Sequence, residues 1–226
     1  IGYRRDAVES TVGLVTAAPP DEVPAAGLPA PAAGDDPLAG PLDAGRVVRL
    51  EAAELAEPTV AVLPPGTEPV GLLIWLSPPH GRVAESEAAE WKAAAVRHGV
   101  AVILPGSAEP ATWSRSDIPT VLRSIAALNG QRRVDPARIG VAGAGAGAAC
   151  AWLVAERLGP AVSGVALIES GLPRLATVAE AAPEREWWVL LGPGRTGEAT
   201  LQFEADRSQL HKAGHAAGLL PDNAAA

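Results

Sequence analysis

From Gly45 onward the apolar residues come in short blocks separated by turn residues, at 46–50, 59–63, 70–76, 100–104, 138–142, 162–168, 186–191 and 215–220. Each block has the length of a β-strand. Several, such as Val100-Ala101-Val102-Ile103-Leu104, are continuously apolar rather than alternating, as strands covered on both faces are. Between them the spacing turns helical. Ser86 is placed to cap a helix through His98 that Gly99 ends, and Ser116 to cap one through Leu128 that Asn129 and Gly130 end. Further helices are predicted at 146–158, closed by Gly159, and at 198–213, closed by Gly214, with a shorter piece at 175–182. Three strands followed by repeated helix–strand units give an α/β fold with a three-layer, mostly parallel eight-stranded sheet whose first two strands form an antiparallel start. Ligands of such sheets bind at the carboxyl ends of the strands, so that edge is where chemistry is expected. Trp75, Trp152, Trp187 and Trp188 fall in strands or in the 146–158 helix and are assigned to the core. Trp113 sits in the loop 108–115, where it either pins the loop or marks an exposed binding spot.

Before Gly45 the pattern changes. Residues 1–17 read as the end of a β hairpin, with Tyr3 to Asp6, a turn, and the β-branched run around Thr11, Val12, Leu14 and Val15. Over 18–44, Pro19, Pro20, Pro24, Pro29, Pro31, Pro37 and Pro41 stand among Ala, Gly and acidic residues without Lys or Arg. That composition predicts a semi-extended acidic linker, the alternative being an ordered coil whose Leu28, Leu38 and Leu42 dock in apolar grooves. The expected organisation is a hairpin at 1–17, a linker at 18–44 and the α/β domain at 45–226.

Composition narrows the function classes. The chain has 226 residues, enough for one α/β core and an appendage, and Gly (24) with Pro (22) make about a fifth of it, short of a disordered composition. The net charge is −8, only Lys92 and Lys212 are lysines, and the arginines do not cluster, which argues against nucleic acid and anionic membrane surfaces as partners. A lone Cys150 excludes an internal disulfide framework and a multi-cysteine zinc site. No apolar run approaches the roughly 20 residues of a membrane span. With no methionine even at position 1, the chain is expected to start after processing or to belong to a longer polypeptide.

The most informative stretch is Val134-Asp135-Pro136-Ala137-Arg138-Ile139-Gly140-Val141-Ala142-Gly143-Ala144-Gly145-Ala146-Gly147. It joins a buried strand to a helix through a glycine-rich turn, the placement of the nucleophile elbow G-x-S-x-G. With this Asp-Pro-x-Arg-Ile lead and elbow, the chain from about 46 to 220 resembles the α/β-hydrolase family, especially its esterase and dienelactone-hydrolase-like branches. The resemblance implies an oxyanion loop at His80-Gly81, with the Ala146 N–H as the second donor, and makes Gly192 the glycine that precedes the acid. The departures fall on the catalytic positions. Gly143 and Gly147 match the flanking glycines, but Gly145 stands where the nucleophile belongs. After Gly192 the chain reads Pro193-Gly194-Arg195-Thr196-Gly197 before its first carboxylate, Glu198, and Glu169 at the end of the sixth strand is the better-placed substitute acid. The family's histidine follows the last strand, whereas here Pro221-Asp222-Asn223-Ala224-Ala225-Ala226 supplies none and His215 begins that strand at the opposite edge.

Without these groups, only oxyanion-hole and binding contributions to catalysis would remain. The expectation is a non-catalytic module that works in binding or assembly, with vestigial positions at His80, Gly81, Ala146, Glu169 and Glu198. Its rival is an esterase or peptidase completed by another subunit or by an atypical site around His80, Ser107 and Glu169. The Ala146 N–H and one near Gly81 or Arg82 would still form an anion-binding concavity, or the glycines simply let a helix approach a strand. A minor alternative comes from Gly143, Gly145 and Ala148, which spell the dinucleotide-loop pattern G-x-G-x-x-A with Glu169 about 20 residues on. That loop belongs on the first strand of a βαβ unit and this is the fifth, so no cofactor and no metal are expected. Ser77, Ser107 and Ser114 lie in loops without an elbow pattern and read as turn formers. His80 either binds a ligand or orders its loop, and His98 and His211 fall at helix ends in solvent.

Tyr3-Arg4-Arg5-Asp6, followed by 9–16 and then Pro-rich sequence, resembles the last hairpin of a PDZ domain, as in large bacterial proteins that join trypsin-like, PDZ and hydrolase-like modules. That resemblance implies a periplasmic or secreted location and a place at the C-terminal end of a larger polypeptide. The expected partners are proteins: its own upstream domains, other chains, or a second copy in a homo-oligomer.

Overall fold

The computed structural model of the chain describes residues 44–51, 59–77, 85–109, 112–173, 176, 178–181, 187–192 and 199–219. The hairpin expected at 1–17 and the linker up to residue 43 lie outside them. Among the described residues eight strands form one sheet: β1 (Arg46–Leu50), β2 (Thr59–Leu63), β3 (Val70–Leu76), β4 (Val100–Leu104), β5 (Val134–Ala144), β6 (Gly164–Ile168), β7 (Trp188–Gly192) and β8 (Ala216–Leu219). Their order across the sheet is β1-β2-β4-β3-β5-β6-β7-β8. β1 and β2 pair antiparallel, as do β2 and β4, and every other pair is parallel.

The helices are α1 (Glu85–Glu90), α2 (Lys92–His98), α3 (Ile118–Gln131), α4 (Ala146–Leu158) and α5 (Ala199–Lys212). From β3 to β4 the chain crosses the sheet one way, and from β4 through β5, β6 and β7 to β8 it crosses the other way. Right-handed crossovers therefore place α1 and α2 on one face and α3, α4 and α5 on the other. The packing agrees. Val121 and Leu128 of α3, Trp152 and Val154 of α4, and Phe203 and Leu210 of α5 share one core with Leu72, Ile74, Val141, Leu167 and Leu191. On the opposite face a smaller core sets Ala88 and Ala95 of α1 and α2 over Val60, Val62, Val102 and Leu104.

Several local expectations are corrected by tertiary contacts. The predicted 86–98 helix starts at Glu85 with Ser86 inside its first turn, and it breaks at Trp91, whose N–H bonds the Ala88 carbonyl at 3.2 Å while its ring packs on Trp75 with centroids 5.1 Å apart. It ends at Gly99 as expected, with φ 59°. Ser114, not Ser116, opens the next helical segment, because the buried Asp117 carboxylate reaches back to the Ser114 N–H at 2.7 Å and hydroxyl at 3.0 Å. α3 then runs through Asn129 and Gly130 to Gln131, since the Asn129 amide oxygen accepts from the Val134 N–H at 3.2 Å and ties the helix end to β5. β5 begins at Val134, not 138, and absorbs Pro136 in a register shift against β3. Residues 176 and 178–181 are not helical: the Ala181 N–H bonds the Ala213 carbonyl at 2.6 Å and the Ala179 carbonyl meets the His215 ring. Trp188, assigned to the core, is 68% exposed beside a buried Trp187.

Candidate functional site

The connection after β3 leaves on the α1–α2 face and the one after β5 on the α4 face. The carboxyl ends of these neighbouring strands form the topological switch point where an open α/β sheet presents its ligand crevice. The glycine-rich turn sits there. Gly145 lies between β5 and α4 with φ 54° and ψ −122°. Its N–H donates to the Ile168 carbonyl at 2.9 Å, and the Glu169 N–H donates to the Gly192 carbonyl at 2.9 Å, so Gly145, Glu169 and Gly192 are joined in one row along the carboxyl edge.

The three glycines of the turn answer to different constraints. A Cβ at Gly147 would fall on the Leu76 carbonyl, and one at Gly143 on the Gly147 carbonyl, so both positions are set by the approach of α4 to the sheet. At Gly145 nothing lies within 4 Å of where a Cβ would stand. Glycine serves the positive φ there, not a lack of room. The turn keeps open space at the nucleophile's place and offers no side chain to fill it.

The polar groups described around the turn have partners of their own or are buried. Cys150, one turn into α4, is buried, and burial first and the Asp117 charge second push its thiol up to about 12, which keeps it protonated. The buried Ser107 hydroxyl lies 2.9 Å from the Glu109 carbonyl and 2.5 Å from that of Thr112, and accepts from the Glu109 N–H, closing the loop after β4. Ser107 thus orders the turn it stands in. Ser114 is bonded to Asp117 and Ser116. Trp113 is half-buried and its indole N–H donates to the Ser77 carbonyl at 2.7 Å, pinning its loop over the end of β3; it is not an exposed binding spot.

Glu169 projects into solvent from the end of β6 with φ 60°, a left-handed backbone that is strained for a glutamate. Among the described residues the histidines sit at the far edge. His98 ends α2 just before β4, and His211 and His215 precede β8. His215 is buried, with one ring nitrogen facing the Trp187 N–H and the other the Ala179 carbonyl. His80, Gly81 and Glu198 lie outside the described residues. Among those described, no cluster of three His, Cys, Asp or Glu side chains comes together to hold a metal. No helix among them is long and apolar enough to cross a membrane.

Two buried carboxylates were missed in the sequence. Asp117 accepts three bonds, counting the Ala108 N–H at 3.0 Å, and Asp206 accepts from the Leu172 N–H at 2.8 Å and the Gln202 amide at 2.7 Å. Both order loops near the carboxyl edge. Asp117 has a sequence signal in the Ser-x-x-Asp capping spacing from Ser114, and Asp206 has none.

No family model matches the chain, and no curated protein matches it in sequence. Solved structures do. A dienelactone hydrolase-like promiscuous phosphotriesterase from metagenomic libraries superposes with a TM-score of 0.51 at 15% identity, covering 78% of this chain and 81% of that one. A hyperthermophilic esterase from the archaeon Pyrobaculum calidifontis gives 0.58 at 13%, covering 81% and 77%. Esterase B from Lactobacillus rhamnosis gives 0.54 at 13%, covering 79% and 74%. The fold that the described residues build is that of these α/β-hydrolase structures.

Proposed function

We propose that the chain is a non-catalytic α/β-hydrolase-like module acting in binding or assembly, with proteins, including its own upstream domains, as partners. The observation that carries this is Gly145: the turn, its positive φ and the room for a side chain are kept, while the nucleophile is missing. Protonated Cys150, the committed Ser107 hydroxyl and the placement of His98, His211 and His215 at the far edge of the sheet support it. A fold that keeps its core without these groups still offers surfaces, and surfaces are sufficient for assembly.

Short p-nitrophenyl esters and a fluorophosphonate probe test this directly. Turnover no faster than with heat-denatured protein, and no labelled serine, are the expected results; turnover abolished by labelling one serine would establish the esterase alternative. Gly145→Ser is expected to fold, given the room at that position, yet to remain far from an efficient esterase because a nucleophile without acid and base contributes little.

A further inference from the structure

Trp91, Ala94 and His98 are spaced three and four residues apart, so they form one stripe along α2 and the residue that opens it. With Leu73 of β3 and Gly140 of β5 that stripe lines a cavity of about 410 Å³ under α2. Gly140 keeps its floor low. A Cβ there would make only ordinary contacts, the nearest with Leu73 Cδ1 at 3.7 Å, so the missing side chain leaves room and not strain. Gly140 stands five residues before Gly145, about 16 Å along β5, which sets the cavity apart from the carboxyl edge. Its walls are apolar except at one end. There Arg138 lines it, with Nη2 donating to the His98 carbonyl at 3.0 Å, so the guanidinium is held across the last turn of α2, where Arg97 also lies. Arg138 lines a neighbouring cavity of about 350 Å³ as well, together with Arg132, whose Nε is a buried donor without a partner among the described residues. In a chain of net charge −8, this end of the sheet gathers Arg97, Arg132 and Arg138 against Glu68 and Asp135, and Asp135 accepts from the Ala137 N–H at 3.0 Å.

We propose that this cavity binds a small carboxylate with an apolar chain, of the class of a free medium-chain fatty acid, its chain laid between α2 and β5 and its carboxylate on the Arg138 guanidinium. An apolar cavity of about 300–1,000 Å³ with a few placed polar groups is the usual form of a small-molecule site. A guanidinium presents a planar fork of N–H donors that matches a carboxylate, and the His98 carbonyl engages one of them. Walls and head group select together. Acetate would leave the apolar surface wet, and an alcohol of the same length would leave the guanidinium without a counter-charge. The site goes beyond protein assembly and does not depend on what the carboxyl edge can catalyse.

Isothermal titration of the full 226-residue chain with octanoate should give a one-to-one isotherm with a dissociation constant of about 0.1–1 mM, ordinary for a ligand of about ten non-hydrogen atoms. Acetate should not bind, and octanol should bind about tenfold more weakly or worse for want of the charged head. Added NaCl should weaken octanoate and not octanol. Arg138→Gln should bring octanoate down to the level of octanol while leaving octanol unchanged. Gly140→Leu is the sharper variant: the backbone accepts a Cβ there, so leucine fits the strand and grows into the cavity. It should abolish binding of both ligands with a melting temperature no lower than wild type, and Ala94→Leu, from the opposite wall, should do the same. Failure of octanoate to saturate by about 10 mM, octanol binding as tightly as octanoate, or octanoate binding that survives both Gly140→Leu and Ala94→Leu each overturns the site. The ester assay keeps the two ideas separate: an inactive chain that ignores octanoate removes only this site, and an active one that binds it in this cavity removes only the non-catalytic assignment.

Discussion

Gly147→Ala and Gly145→Ala exchange the same atoms within one turn, yet should differ sharply in cost. At Gly147 the added methyl meets the Leu76 carbonyl, which belongs to a central strand and cannot rotate away, so α4 must retreat from β3 by roughly 1 Å. Such a gap forfeits a quarter to a half of each dispersion contact along the helix face, which carries Ala148, Ala151, Trp152 and Ala155. Overpacking typically costs 1–3 kcal/mol, and the rigid neighbour puts this case at the upper end, about 3 kcal/mol or more. At Gly145 the methyl enters open space and only the left-handed backbone opposes it, about 1–2 kcal/mol. Against a typical stability of about 5–15 kcal/mol the first change is severe and the second tolerable. Urea denaturation followed by tryptophan fluorescence measures both, and with an m-value of about 2 kcal/mol/M the midpoints should fall by about 1.5 M and 0.5–1 M. Equal shifts, or a Gly147→Ala protein as stable as wild type, would refute the division of the turn into steric and conformational glycines.

Cys150 should not react with Ellman's reagent at pH 8 until denaturant unfolds the chain, since a thiol near 12 is about one part in 10⁴ ionised there. Because the folded thiol pKa lies above its unfolded value of 9.0, stability from this group is intact below pH 9 and is lost as pH rises towards 12. The loss is roughly 1 kcal/mol per pH unit, read as the difference in urea midpoint between wild type and Cys150→Ala at pH 8 and 10. Asp117→Ala leaves the Ala108 and Ser114 N–H groups without their acceptor and should cost about 2–4 kcal/mol in the same titration; a cost under 0.5 kcal/mol would show that water replaces the carboxylate. NAD and FAD should leave the melting temperature unchanged, whereas a bound dinucleotide at 100 times its dissociation constant would add about 2.7 kcal/mol and a clear upward shift.

Local chemistry made much of this protein legible in its sequence. Blocks of apolar residues located all eight strands, Gly99, Gly159 and Gly214 ended their helices at positive φ, and the run from Gly143 to Gly147 marked the turn between β5 and α4. These signals are local because a strand's apolarity and a helix stop depend on a few neighbouring residues. Where a second polar group within a few residues competes, the same signals failed: Asn129-Gly130 did not stop α3 once the Asn129 amide accepted from Val134, five residues on, and Ser116 yielded to Ser114 once Asp117 bonded back three residues. Two decisions belonged to the tertiary structure alone. Three identical glycines separate into two steric ones and one conformational one only when the helix and the strand are brought together. Trp187 and Trp188 must face opposite sides of a strand by its period of two, but which side is covered depends on the direction in which every crossover turns. That direction is a property of the whole sheet, so no window around Trp188 could reveal that it stands in solvent.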